Sequence, residues 1–267
     1  MKKYLSVFKI SFQQEFAYRA NFIMWRIRNV MQIALVFFLW SSVFADPQTE
    51  VFGYNRDKIL TYVFGILILR ALVLSARAVD IAGEISRGDL TNFLLKPINY
   101  FKYWFTRDIS SKALNISFAA VEATLLFAIL KPPFFIQNNP AQIAMFLVFL
   151  VLAIAMFFSL LILVNMITFW LPESGWAAQF LIVGIATEFL SGAIFPIDIL
   201  PSFIQQILYA LPFPYLLFFP LQVYLGKVGG GAMIKGLLIA GAWVVILVFA
   251  MNVAWQKGLK KYTAVGR

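Results

Sequence analysis

Arg70, Glu122 and Glu188 stand inside long apolar runs, where a charge is costly and is therefore paired or put to use. Arg70 falls midway along the run 58–79, Glu122 in 112–130, and Glu188 in the outer half of 176–195. The first two runs cross in opposite directions. Counted from their outer ends, the two depths differ by roughly four residues, about 6 Å at 1.5 Å per residue, a gap that long side chains close. The spacing predicts an Arg70–Glu122 ion pair, serving either as structural glue or as part of a polar path. Glu188 has no evident partner and either lines a cavity or faces water near the outer surface. Arg26 and Arg28, at the inner end of 22–45, are expected to snorkel to the headgroups. The chain has no histidine and no cysteine. That excludes disulfides, thiol nucleophiles, imidazole bases and the commonest metal ligands, so no metal site is expected. No GxxxxGK[ST] loop is present, so ATP is not bound by that route, and no catalytic residue is expected.

The second constellation is the polar stretch 77–112, far longer than a turn between two helices requires. Asp80 and Glu84 are four apart, which places both on one helical face. Gly88 is suited to end that helix. Asp89 is placed to cap a second short helix running through Leu95, and Pro97 stops it. The prediction is a short helix pair beneath the membrane, with a polar face free for a partner and Leu90, Phe93, Leu94 and Leu95 as apolar knobs. The alternative is an interfacial hairpin anchored by an aromatic belt of Tyr100, Tyr103 and Trp104. The residues alone leave both open.

The third is 187–212. Gly192 and Pro196 let the backbone leave the helix near the outer surface. Residues 202–210 form a short amphipathic helix between Pro201 and Pro212, with Gln205 and Gln206 facing outward. A break at this depth suits a gate better than a plain turn.

These residues require a membrane to be positioned in. Of the 267 residues 62% are hydrophobic and 13% charged, against about 45–50% and about 25% in soluble domains. The prediction is an all-α polytopic membrane protein, a single transmembrane domain over 1–267. Six runs approach the length of about 20 residues that crosses a bilayer: 22–45, 58–79, 112–130, 141–170, 176–195 and 233–255. Residues 197–225 are apolar enough for a seventh, but Pro201, Pro212, Pro214 and Pro220 break it. Six crossings also keep Lys and Arg of the front, the 77–112 loop and the tail on the cytoplasmic side. Short outer helices and a loop are therefore expected over 196–231, with 227–231 as a flexible connection. Residues 1–20 read as an interfacial helix with Leu5, Phe8, Phe12 and Phe16 on one side and Lys2, Ser6, Lys9 and Gln13 on the other; Gln13, Gln14, Glu15 and Arg19 argue against a signal peptide. The net charge of +10 is assigned to the cytoplasmic leaflet rather than to nucleic acid.

The run SGAIFPIDILPSFIQQILYALP, 191–212, resembles the signature of type-2 ABC exporter permeases, the ABC-2 superfamily. In that signature a Ser-Gly step (Ser191, Gly192), an aromatic-Pro (Phe195, Pro196) and a Leu-Pro (Leu200, Pro201) precede a short outer helix that ends at a further Pro. The loop EISRGDLTNFLLKPI is similar to one branch, which includes daunorubicin-type and viologen-type exporters. Glu84-Ile85, Gly88-Asp89-Leu90 and Leu95-Lys96-Pro97 carry that match. The resemblance in layout spans essentially the whole chain. It implies a permease without its own motor, paired with a second permease, identical or homologous. Separate ATPase subunits would bind ATP and magnesium. It implies that Asp80, Glu84, Ile85, Gly88, Asp89, Leu90, Leu95 and Pro97 couple to the ATPase, that 1–20 is the elbow helix, and that Ser191, Gly192, Phe195, Pro196 and Pro201 form an outer gate. The location implied is the cell membrane, with both termini cytoplasmic. A passive channel or scramblase and a membrane scaffold are the competing classes. The long loop favours a docking partner, and the buried charges favour a polar path. Few charges among many Phe and Leu residues suit an amphipathic or hydrophobic cargo.

Overall fold

The computed structural model describes residues 2–17, 19–46 and 48–263, and no side chain for 2, 15–17, 19–22 and 25. The expected roles of Lys2, Phe16 and Arg19 and of the tail Arg267 lie outside the described residues. Twelve α-helices occur among the described residues, with no strand beyond an isolated bridge between Val51 and Tyr54. They are α1 (Lys2–Ala17), α2 (Arg19–Val43), α3 (Arg56–Leu69), α4 (Ile81–Ser86), α5 (Thr91–Leu94) and α6 (Tyr100–Leu130). Then follow α7 (Pro140–Asn165), α8 (Gly175–Gln179), α9 (Thr187–Leu190), α10 (Ser202–Ala210), α11 (Phe218–Tyr224) and α12 (Gly230–Lys261). The chain is a multi-pass membrane protein of all-α class.

Three of the long helices start at asparagine caps. The Asn55 side chain accepts from the Lys58 amide at 3.0 Å, Asn99 from Lys102 at 2.9 Å and Asn139 from Ala141 at 3.0 Å, each satisfying a donor that the first turn leaves open. Pro140 follows its cap in the first turn of α7, where a missing N–H costs nothing.

Among the described residues, three helices are long and apolar enough to cross a membrane: α6, α7 with its 3-10 extension to Phe169, and α12. A bent pair, Arg56–Leu74 and Ala78–Ser86, meeting at 48°, makes up to four. The remaining two expected runs look different. α2 carries Arg26 and Arg28 in its first half. The run expected at 176–195 is α8, a π segment Phe180–Ala186 and α9 in succession. α7 is the central helix, with Phe149, Ala153, Met156, Phe157 and Ile162 fully enclosed, and it packs against α12 and α11. α2, α6 and α12 turn Leu35, Phe38, Val121, Leu125, Val245 and Phe249 outward, the surface that lipid wets.

The run 197–225 is broken as expected: no helix in it exceeds the nine residues of α10. α11 goes deeper than a surface helix. Phe218 to Val223 are buried against α7 and α3. The expected flexible connection is tied down at Lys227, which binds the Asp198 carboxylate at 2.7 Å and the Phe52 carbonyl at 3.0 Å. α1 lies along α6, with Ser110 donating to the Phe8 carbonyl at 3.1 Å and Lys3 to the Pro97 carbonyl at 2.9 Å. Leu5 and Ile10 stay exposed. The face of α1 that packs is thus the Tyr4, Phe8 and Ser11 side, and Leu5 is left for the membrane surface.

Candidate functional site

A cavity of about 1000 Å3 lies between α2, α3 and the α8–α9 segment. Two π segments shape it. The helix of α3 widens over Arg70–Leu74, with the Ser75 amide reaching back to the Arg70 carbonyl at 3.1 Å. On the opposite wall Phe180–Ala186 is also π-helical, and Thr187 donates its hydroxyl to the Ile182 carbonyl at 3.0 Å. Short π segments recur at functional sites because they shift the direction of the side chains that follow. Arg70 opens the first segment and Glu188 follows the second.

These two residues meet. Arg70 Nη1 donates to Glu188 Oε2 at 2.8 Å and Nη2 binds the other carboxylate oxygen, a bidentate pair across the cavity. Glu122 is held instead by Arg26, whose Nε and Nη2 each donate at 2.6 Å and whose Nη1 reaches Asn115 at 3.2 Å. The expected Arg70–Glu122 pair is therefore corrected: each residue has a different partner. Arg26 does not snorkel, and only 9% of it is exposed. Both pairs satisfy the rule that intramembrane charges are matched, but through neighbours that depth counting does not identify.

The cavity has two unlike halves. Towards α4 and α5, the loop end, its wall carries Arg28, Asn29, Gln32, Arg77 and Gln179; towards the far end it carries Val36, Trp40, Ile66, Phe189 and Ile194. Tyr62 lines the far end as well, and its hydroxyl donates to the Gly192 carbonyl at 2.5 Å.

The 77–112 loop folds as the expected helix pair, α4 and α5, with Gly88 ending α4 at φ +79°. Its outward face is not the one the spacing predicts. A 3-10 turn, Ala78–Asp80, precedes α4 and breaks the α-helical register. Asp80 stays exposed beside Arg77 at 4.0 Å, whereas Glu84 turns inward and accepts from the Tyr100 hydroxyl at 2.8 Å. Burial pushes the Glu84 carboxyl up to about 6, against the opposing pull of Tyr100 and Arg107. Asp89 caps nothing; it binds Arg87 at 3.0 Å. Ile85 and Leu90 are buried, Leu94 is half exposed, and Leu95, the most exposed large apolar residue of the loop, is 80% exposed. Pro97 is exposed next to it. Tyr100 and Trp104 are not a lipid belt: they are buried, with Tyr100 stacked on Trp255 of α12 at 4.9 Å. The tail of α12 closes over α5, where the Tyr262 hydroxyl takes the Thr91 amide at 3.3 Å.

The structure also brings together residues that the sequence did not single out. Asn165, fully enclosed at the end of α7, accepts from the Ala82 amide of α4 at 3.0 Å and from Gln179. Gln179, on α8, donates as well to the Val79 carbonyl at 2.8 Å. The loop is thus fastened through two amide side chains to the wall that carries Glu188. Asp108 and Lys112 form a second hidden joint. They pair at 3.2 Å, and Lys112 caps the Val73 carbonyl at 3.1 Å where α3 ends. Their i, i+4 spacing in an apolar helix was the available signal.

At the far end Gly192 has φ +82°, and a Cβ there would stand 2.7 Å from the Tyr62 hydroxyl and 2.8 Å from Phe218, so only glycine fits. Ser191 and Pro196 are buried, Phe195 is partly so, and Pro201 is exposed at the start of α10. Gln205 does not face outward: it turns back to the Asp198 and Leu200 carbonyls at 3.1 and 2.7 Å. Gln206 is exposed as expected, beside the exposed apolar Phe203 and Ile207. Asp198 joins this end, accepting from Tyr54 at 3.1 Å and pairing with Lys227, whose ammonium burial drives towards the neutral form.

No curated protein matches the chain. A family model described as ABC-2 family transporter protein matches residues 30–266, which takes in the loop, the whole far-end motif and the cavity wall apart from Arg26, Arg28 and Asn29. The chain belongs to the ABC-2 transporter family, as a membrane permease subunit rather than an enzyme.

Proposed function

We propose that the chain is the permease of an ATP-driven exporter in the cell membrane, worked by separate ATPase subunits that bind ATP and magnesium and carrying an amphipathic or hydrophobic molecule outward. In this reading the chain pairs with a second permease, identical or homologous. α2, α3, α6, α7, α8–α9 and α12 make six crossings. The loop end is cytoplasmic, which places both termini with the basic residues of the loop and tail. The cavity is the entry of the path, Arg70–Glu188 closes it at mid-depth, and Ser191, Gly192, Phe195, Pro196 and Pro201 form the outer gate.

One observation carries the reading: the loop presents Leu95 outward while its backbone is fastened through Asn165 and Gln179 to the cavity wall. Such a part receives force at one surface and delivers it at another. Asp80, Asp89, Leu95 and Pro97 then meet the ATPase, and Glu84, Ile85, Gly88 and Leu90 hold the pair of helices in shape.

The test is co-expression with the neighbouring genes and gentle purification through a tag on this chain. The expected result is an ATPase near one per permease, shed by Leu95→Asp while the variant itself remains folded. An ATPase retained by that variant removes the loop assignment. No ATPase at all brings the channel or scaffold reading forward.

A further inference from the structure

α6 is 31 residues long, against about 20 for one crossing, so its polar first turns stand at the level of the headgroups. α1 lies along those turns: the Tyr4 hydroxyl accepts from the Asn99 amide at 3.4 Å, and the Phe8 carbonyl from Ser110 at 3.1 Å. Between α1, α6 and the neighbouring α7 runs a groove of about 450 Å3, lined by Tyr4, Phe101, Lys102, Phe105, Thr106 and Phe158. Its floor is aromatic, with the exposed ring of Phe105 meeting the buried Phe158 edge-on at 5.2 Å. Lys102, Phe105 and Ile109 share one face of α6 at helical spacing, and Phe105 and Ile109 are both exposed. An ammonium at the start of the helix is thus followed by bare apolar surface deeper in. The Lys102 side chain is exposed and its ammonium has no ion pair or hydrogen bond among the described residues. The Thr106 hydroxyl turns to the Lys102 carbonyl at 2.8 Å, and the Tyr4 hydroxyl keeps its own proton to donate. Lys3, next to Tyr4, binds the Pro97 carbonyl rather than a carboxylate. Among the described side chains of α1, of α6 as far as Asn115 and of α7 from Met156 onward, the one carboxylate is that of Asp108, buried and matched by Lys112 at 3.2 Å. The charge on Lys102 is therefore left for something outside the chain to balance.

We propose that this groove binds an anionic phospholipid of the leaflet at the loop end, with its phosphate on Lys102 and the Tyr4 hydroxyl and an acyl chain over Phe105, Ile109 and Phe158. A basic side chain at headgroup level draws anionic lipid, and the apolar floor below it holds the chain. A zwitterionic lipid covers the same rings but brings its own cation towards Lys102. A soluble anion reaches Lys102 and leaves the rings bare. The groove is separate from the cavity and its ion pairs, and the site stands whether or not the chain is an exporter. A lipid seated here touches α1, α6 and α7 together, so its binding favours the packed arrangement of α1.

The test uses the purified full chain in phosphatidylcholine nanodiscs with no ATPase, so its outcome is separate from that of the co-purification. The probes are phosphatidylglycerol and phosphatidylcholine carrying the same diazirine-bearing acyl chain, each added at the same low fraction. Labelled peptides are located by mass spectrometry. The expected result is saturable labelling over residues 101–109 and at Phe158, stronger for the phosphatidylglycerol probe by about fivefold. Lys102→Gln is expected to bring it down to the phosphatidylcholine level and Lys102→Arg to keep it, while labelling of α12 around Phe249 is the same in all three proteins. Equal labelling of the groove by the two probes overturns the proposal, as does an excess that survives in Lys102→Gln. Loss of the excess to glycerol phosphate at the concentration of the probe also overturns it, since the site then takes a soluble anion. The comparison of probes on the unaltered protein needs no variant to fold.

Discussion

At the residue scale, the two bidentate pairs decide how much polarity the membrane region holds. Removing one member leaves a buried charge unmatched, at about 3–5 kcal/mol, whereas replacing both with apolar residues is close to neutral. Glu122→Gln is therefore expected to lower the melting temperature in detergent markedly. Arg26→Met with Glu122→Leu should restore most of it, and Arg70→Met with Glu122→Leu should not. Glu84 gives a pH signature. Its carboxyl holds its proton up to about pH 6 in the folded loop, above the ordinary 4.5. The folded state therefore binds the proton more tightly than the unfolded one. The Glu84 contribution to loop stability is greatest below pH 4.5 and is lost as pH rises through about 6. Amide-exchange protection of α4 and α5, corrected for intrinsic rates, should fall over that range and should be flat in Glu84→Gln. The sequence made legible that Arg70, Glu122 and Glu188 are buried charges in need of matching. It did not show which helices adjoin, and no propensity marks the π segments that aim Arg70 and Glu188.

At the element scale, stops are easier to read than faces. Gly88 ends α4 and the two prolines bound α10 because each is a local backbone constraint. The outward face of the loop depends on register, and one 3-10 turn at Ala78–Asp80 separates Asp80 from Glu84. The packing of Tyr100 on Trp255 joins residues far apart in the chain and leaves no local trace. Asn165 is the joint between α7 and α4. Asn165→Leu leaves the buried Ala82 amide without its acceptor, at about 1–3 kcal/mol. Exchange of the α4 amides should quicken by about tenfold or more, with α12 unaffected. An unchanged rate would mean that the loop is held by its apolar contacts alone.

At the scale of the whole molecule, composition and charge asymmetry made the membrane class legible, and the prolines of 197–225 removed a seventh crossing. The burial of α11 was not legible, since a buried helix and a surface helix of this composition read alike. The absence of cysteine makes each introduced thiol unique. Asn92→Cys and Lys260→Cys should react with an impermeant maleimide only after the membrane is opened, and Gln206→Cys should react on intact cells. Labelling of Asn92→Cys and Gln206→Cys from the same side would remove the six-crossing arrangement.

Force on the loop is proposed to move the cavity wall. Gln32→Cys on α2 and Ile185→Cys in the π segment face the cavity from opposite sides. Spin labels at the two positions report its width in the assembled complex. ATP is expected to shift the distance distribution in the otherwise unaltered protein, and Asn165→Leu to abolish the shift while hydrolysis continues. A distance indifferent to ATP in a complex that hydrolyses it would mean that the loop does not move the cavity wall.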